Sequence, residues 1–234
     1  MPAQGGWSAS AASTAVTHET HNGYDAIFVG GGVIGLASAR RAAARGARVC
    51  VLEAERPAAG ATGVAAGMLA PAGEASWGEE ALLALNLESL RRWPGFADEL
   101  ERASGVEVGF AQQGALHVAL DRDEAESLRR RFDLHRQLGI DAEWLTGGAC
   151  RKLEPGLATA VRAGAHVPGE ASVDPRRVAA GLLGALDREG VSVQAGARVT
   201  SARQGDGSWH LGTADGRSFS GRAVVLAAGC WSGH

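Results

Sequence analysis

The stretch Asp25-Ala26-Ile27-Phe28-Val29-Gly30-Gly31-Gly32-Val33-Ile34-Gly35 constrains this chain more than any other. Its apolar run is too short for a core helix and reads as a buried parallel strand. The run breaks into Gly30-x-Gly32-x-x-Gly35, and residues 36–45 then have helix composition up to Gly46. A second apolar run, Val49-Cys50-Val51-Leu52, ends in Glu53. Strand, glycine turn, helix, strand and acid in that order make a βαβ unit that binds a dinucleotide. Gly30 lets the chain turn out of the strand, Gly32 leaves bare backbone for a pyrophosphate, and Gly35 brings the helix close to the sheet. The N–H groups of Val33 and Ile34, at the positive end of the helix dipole, face the phosphates. Glu53 lies 23 residues after Gly30, near the usual spacing of about 20, and can accept hydrogen bonds from ribose hydroxyls.

Residues 56–71 form a long connection that is almost uncharged and full of Ala and Gly. An ordinary surface loop would be polar. Small residues here point either to backbone lying against a flat partner or to tight packing on the sheet. Residues 79–104 have helical periodicity, and Pro94 is expected to kink or divide that helix. Two strands are expected at 106–108 and 114–120, the second carrying His117 on its face. A charged amphipathic helix follows over 121–138. Thr146 is placed to cap a small helix near 149–153. Asp174 is an N-cap with Pro175 at the first helical position, and that helix runs to about Arg188. Strands are expected near 191–193 and 197–200. The runs 209–211 and 218–220 suggest a hairpin, with residues 205–207 at a turn. A second buried strand is expected over 222–229. Arg40, Arg41 and Arg45 are assigned to the solvated side of the first helix.

This order describes an α/β protein: a GxGxxG Rossmann-like nucleotide domain interrupted by part of a β-rich substrate domain. The expected divisions are a disordered leader at 1–22, a first nucleotide-domain segment at 23–106, a partial substrate domain at 107–147 and a second nucleotide-domain segment at 148–234. With 45% hydrophobic residues the chain can bury a sizeable core, and its net charge of −3 with dispersed basic residues excludes a nucleic-acid or anionic membrane footprint. No apolar run reaches the roughly 20 residues of a membrane span. Cys50, Cys150 and Cys230 lack metal spacing, so no metal site is expected and a reduced, cytoplasmic setting is the default.

The βαβ unit alone does not separate NAD from FAD. A small-residue loop straight after the acid-bearing strand suits an extended flavin dinucleotide. With that loop the chain resembles the D-amino-acid oxidase superfamily of FAD-dependent oxidoreductases, and within it the glycine oxidases of thiamine biosynthesis. The resemblance rests on residues 25–35, on Ala65-Ala66-Gly67-Met68-Leu69-Ala70-Pro71, on Ala149-Cys150-Arg151-Lys152-Leu153-Glu154-Pro155, on Val173-Asp174-Pro175-Arg176-Arg177 and on Ala228-Gly229-Cys230-Trp231-Ser232. It implies FAD as cofactor. Val33 and Ile34 would then lie on the pyrophosphate, Glu53 and Ala54 on the adenosine ribose, Ala61 and Thr62 on phosphate and ribitol. Ala66, Gly67 and Met68 would lie against the flavin ring, and Val199 would hold the adenine through its backbone. The implied activity is oxidation of the C–N bond of glycine or another small amino acid to an imine, with O2 as acceptor. Alternatives are a sarcosine, D-amino-acid or 2-hydroxyacid oxidase or dehydrogenase of the same superfamily, and a non-catalytic FAD-binding fragment. Family members extend past the position matching His234. The substrate-clamping arginines are expected there, so no catalytic side chain is named in this chain. A small amino acid is the expected partner, and the full-length protein has room to form a homo-oligomer.

Overall fold

The computed structural model describes residues 20–233. Its main sheet has six strands. β1 (Thr20–Val29) lies parallel to β2 (Val49–Leu52) on one side and to β11 (Ser218–Leu226) on the other. β8 (Ser192–Gln194) extends the parallel part beyond β2. β10 (Ser208–Thr213) and β9 (Val199–Gly205) add antiparallel strands beyond β11, giving the order β8-β2-β1-β11-β10-β9.

Both faces of the parallel strands are covered, which explains why they read as unbroken apolar runs. Phe28, Val49 and Val51 face α1 (Val33–Ala43), α3 (Glu80–Ser104) and α6 (Pro175–Arg188), packing with Leu36, Leu100 and Leu182. Ile27, Cys50 and Leu52 point the other way, to Leu211 and Phe219. Asp174 caps α6, its carboxylate accepting from the N–H groups of Arg176 and Arg177 at 2.9 and 3.2 Å.

The interruption is a three-stranded antiparallel sheet in which β6 (Ala163–Val167) lies between β4 (Ala115–Ala119) and β5 (Glu143–Thr146). One face is covered by α4 (Arg122–Gln137) through Leu128 and Phe132. α5 (Gly147–Leu153) contributes Cys150 to a smaller cluster with Leu145 and Val161. The expected limit at residue 147 is therefore too early: the central strand of this sheet is at 163–167.

Other expectations change. β1 begins at Thr20, inside the expected leader, whose residues 1–19 lie outside the described residues. Pro94 does not divide α3, which is continuous. Residues 106–108 form no strand. The N–H of Val108 goes to the Glu101 carboxylate, and its carbonyl accepts from Asp174. The two runs at 218–220 and 222–229 belong to the single strand β11, whose end is open, with Leu226 57% exposed. Arg40 is buried rather than solvated. Its guanidinium bridges Glu99 at 2.9 Å and Glu189 at 3.1 Å and so ties α1 to α3 and to the end of α6. Arg41 and Arg45 are exposed.

Candidate functional site

β1, β2 and β11 run parallel and end at the same edge of the sheet, where open α/β sheets place their ligands. At that edge Gly30 has φ +116°, a conformation L side chains rarely adopt, and a Cβ there would lie 2.3 Å from the Ala227 carbonyl oxygen. A Cβ on Gly35 would lie 2.0 Å from the Gly30 carbonyl oxygen. These two glycines are required by chain-on-chain contact. Gly32 is different. As N-cap of α1 it has φ −79° and ψ 176°, open to any residue, and its nearest Cβ neighbour is the Thr62 hydroxyl at an ordinary 3.4 Å. Nothing among the described residues requires glycine there.

The helix start carries no acidic residue in its first turn. The Val33 N–H donates to Thr62 Oγ1 at 3.0 Å, so a diphosphate at that spot must share or displace the hydroxyl. The Ile34 N–H precedes the first intrahelical bond, on a residue 69% exposed, and is left to solvent or a ligand. Thr62 stands on α2 (Ala61–Val64), a single turn whose Ala61 is exposed. Glu53 points into the same place. One carboxylate oxygen accepts from Gly31 N–H at 2.7 Å, the other from Glu55 N–H at 2.9 Å, and each keeps a further lone pair. Ala197 N–H donates to the Glu53 carbonyl oxygen, so residues 194–197 run alongside Glu53 and Ala54, and Val199 opens β9 just beyond.

The structure thus brings Gly30, Gly32, Val33, Ile34, Gly35, Glu53, Ala54 and Thr62 to one sheet edge, with Ala61 on the rim; Val199 is in register with the other end of the strands and comes near only through the segment 194–197 beside Glu53. Ala66, Gly67 and Met68 lie along the next stretch. Ala66 and Met68 are exposed there, whereas Gly67 is fixed by packing. It has φ +82°, and a Cβ would lie 2.0 Å from the Val173 carbonyl oxygen. The tight-packing reading of the small-residue loop therefore holds at Gly67, while Ala66 and Met68 are left open. β3 (Met68–Leu69) pairs with β7 (Ala171–Ser172). Ile34, Val64, Met68, Leu226 and Trp231, all on segments framing this edge, are large apolar side chains more than half exposed. Apolar groups left open around a polar cradle suit a ligand with a charged centre and a flat apolar end. Sequence reading missed Glu170. It sits in a Gly-Glu-Ala-Ser run that looks like surface loop, yet it is 1% exposed beneath this stretch. No helix among the described residues is long and apolar enough to cross a membrane.

Residues 25–234 match the family described as FAD dependent oxidoreductase. The chain is 36% identical over 214 residues to a glycine oxidase of Geobacillus kaustophilus, covering 91% of this chain and 56% of that protein. It is 31% identical to a bifunctional protein ThiO/ThiG of a Synechocystis species, covering 89% of this chain and 30% of that one. The crystal structure of glycine oxidase from Geobacillus kaustophilus superposes with a TM-score of 0.86 at 34% identity, over 91% of this chain and 56% of that one. The chain thus spans about half the length, or less, of these relatives.

Proposed function

Because the chain belongs to the DAO family of FAD-dependent oxidoreductases, we propose that it holds FAD at the edge formed by β1, β2 and β11 and forms the cofactor-binding part of an oxidase of glycine or another small amino acid. The observation that carries the cofactor reading is Gly32, the one glycine of the turn with ordinary backbone angles and no crowding neighbour. Its missing side chain makes room for something outside the chain.

In this reading the Val33 and Ile34 N–H groups and the α1 dipole take the diphosphate. Thr62 Oγ1 turns from the Val33 N–H toward a phosphate oxygen, Glu53 accepts from ribose hydroxyls, and the Val199 backbone meets the adenine. Exposed Ala66 and Met68 form the floor for the ring. FAD, when bound, supplies a two-electron acceptor for the hydrogen leaving the carbon beside the substrate amine. The chain's own residues bind, orient and keep water from that ring. The amino-acid substrate rests on the similarity to the glycine oxidase of Geobacillus kaustophilus. Thiamine biosynthesis rests on the resemblance of residues 65–71.

The test is titration of the purified chain with FAD, read by quenching of flavin fluorescence and by the visible band, followed by peroxide release from the complete protein. Saturable binding, with peroxide from glycine or sarcosine and none from 2-hydroxy acids, is the expected result. A chain that leaves FAD free at high concentration would overturn the cofactor reading. Turnover of 2-hydroxy acids alone would overturn the substrate.

A further inference from the structure

Resting on that cofactor reading, we propose that Glu170 and His135 are positioning residues that clamp residues 72–73 and thereby fix the partly exposed stretch 65–71, on whose residues 66–68 the flavin ring would lie. This stretch has little to hold it. Four of its seven residues are Ala or Gly, its ladder to β7 is two residues long, and a cavity of about 170 Å³, lined by Leu69, Pro71, Asn86, Ser89 and Trp93 among others, separates it from α3. Packing alone does not fix such a segment.

Hydrogen bonds from the inserted unit do. The segment 170–173 grips the stretch at three levels. The Val173 N–H donates to the Gly67 carbonyl oxygen at 2.9 Å, β7 pairs with β3, and the Glu170 carboxylate accepts from the Gly73 N–H at 2.7 Å. From α4, His135 Nε2 lies 2.7 Å from the Ala72 carbonyl oxygen. A carbonyl only accepts, so His135 is the Nε2–H tautomer. His117 on β4 closes the cluster, its Nε2 3.4 Å from the other Glu170 oxygen. A Cβ on Gly73 would lie 2.6 Å from the His117 ring, so only glycine lets the ring sit there.

The burial of this cluster argues that it has a task. Glu170 is 1% exposed and His135 fully buried, and His135 Nδ1 has no partner. A buried carboxylate and an orphaned ring nitrogen are costly for an otherwise apolar site. They make sense where two backbone groups of an unsupported segment must be held in place.

The experiment is hydrogen–deuterium exchange of the whole 234-residue chain, wild type against Glu170→Ala, Glu170→Gln and His135→Ala, each with and without added FAD. In Glu170→Ala we expect peptides covering 68–75 to exchange at least about tenfold faster, as loss of a charge-assisted bond implies, with α1 and α6 unchanged. His135→Ala acts in the same direction. Glu170→Gln, which keeps an acceptor for the Gly73 N–H, restores most of the protection. Wild-type rates for 68–75 in Glu170→Ala, or uniform loosening of the chain in Glu170→Gln as well, would overturn the clamp. Should the alanine variants not fold, the wild type decides. Its Gly73 protection, corrected for intrinsic exchange, must fall as pH drops through the Glu170 titration while that of Glu170→Gln stays level, and level protection in both overturns the proposal. FAD should further slow 65–75 in the wild type. A clamp that loosens on mutation in a chain that FAD does not protect supports the clamp and removes the cofactor reading.

Discussion

Alanine at position 32 and alanine at position 35 should separate binding from folding. At 35 the new methyl group would lie 2.0 Å from the Gly30 carbonyl oxygen and 3.4 Å from the Ala227 Cβ. The first contact is with backbone, so no rotamer relieves it. Alanine gains about 1 kcal/mol of helix propensity over glycine, against roughly 1–3 kcal/mol or more for overpacking. The net expectation is a loss of about 2 kcal/mol. At 32 the methyl group meets only the Thr62 hydroxyl, at contact distance. Weaker N-capping costs about 0.5–1 kcal/mol, and the stiffer unfolded chain returns about 0.4–1 kcal/mol. Stability should therefore stay within about 0.5 kcal/mol of wild type. A diphosphate crossing that surface is pushed off the N–H groups, and each charge-assisted bond lost is worth about 1.5–3 kcal/mol, or about tenfold to a hundredfold in Kd. Urea unfolding and FAD titration of the two variants read both axes. If Gly32→Ala binds FAD as tightly as the wild type, the diphosphate does not cross Gly32 and the assignment of the cradle fails.

Acid should weaken the fold in two separate windows. Burial holds His135 below its ordinary value of 6.5, so the unfolded chain takes up that proton first. This contribution is complete above pH 6.5 and declines as pH falls below it. Burial would raise Glu170, but the bonds from His117 and the Gly73 N–H outweigh it and hold the group below 4.5. Its contribution is complete above pH 4.5 and is lost as pH falls through the folded value. In urea melts across pH, His135→Gln should flatten the upper window and Glu170→Gln the lower, and unchanged profiles would show that neither group is linked to folding. Arg40→Ala should cost about 2 kcal/mol by the same assay, discounted from the 3–5 kcal/mol of a fully buried pair because Glu99 and Glu189 are about one third exposed. Asp174→Ala should cost about 1 kcal/mol, read as lower helical stability in a thermal melt followed at 222 nm.

The nucleotide-binding half was readable because its determinants are local. The run 26–29, the glycine turn, α1 and Glu53 lie within thirty residues, and β1 and β2 are apolar on both faces because both faces are covered. Arg40 was misread because its partners are 59 and 149 residues away, and no helical pattern shows that two other helices will close over one side. The strand Ala163-Gly164-Ala165-His166-Val167 was assigned to the wrong unit. Its small residues have little strand propensity, and its place depends on β4 and β5 flanking it. Val106-Glu107-Val108 alternates like a strand, yet its bonds go to α3 and Asp174. Alternation reports an extended chain, not a ladder.

Glycines and small side chains do two different jobs in this site, and neighbouring atoms tell them apart. Where a Cβ would strike backbone, as at Gly30, Gly35 and Gly67, the glycine belongs to the fold. Where it would meet only a side-chain hydroxyl at ordinary contact distance, as at Gly32, the backbone leaves room for a Cβ. The stretch 65–71 combines both, and that combination has a consequence. Side chains small enough to admit a flat partner bury too little apolar surface to order their own backbone. Order must then come from hydrogen bonds, and these are supplied by Val173, Glu170 and His135 from the other side of the chain. In the proposed clamp, the inserted sheet and its helix would thus complete the floor of the nucleotide-binding edge and link the two units at the place where a ring would be held.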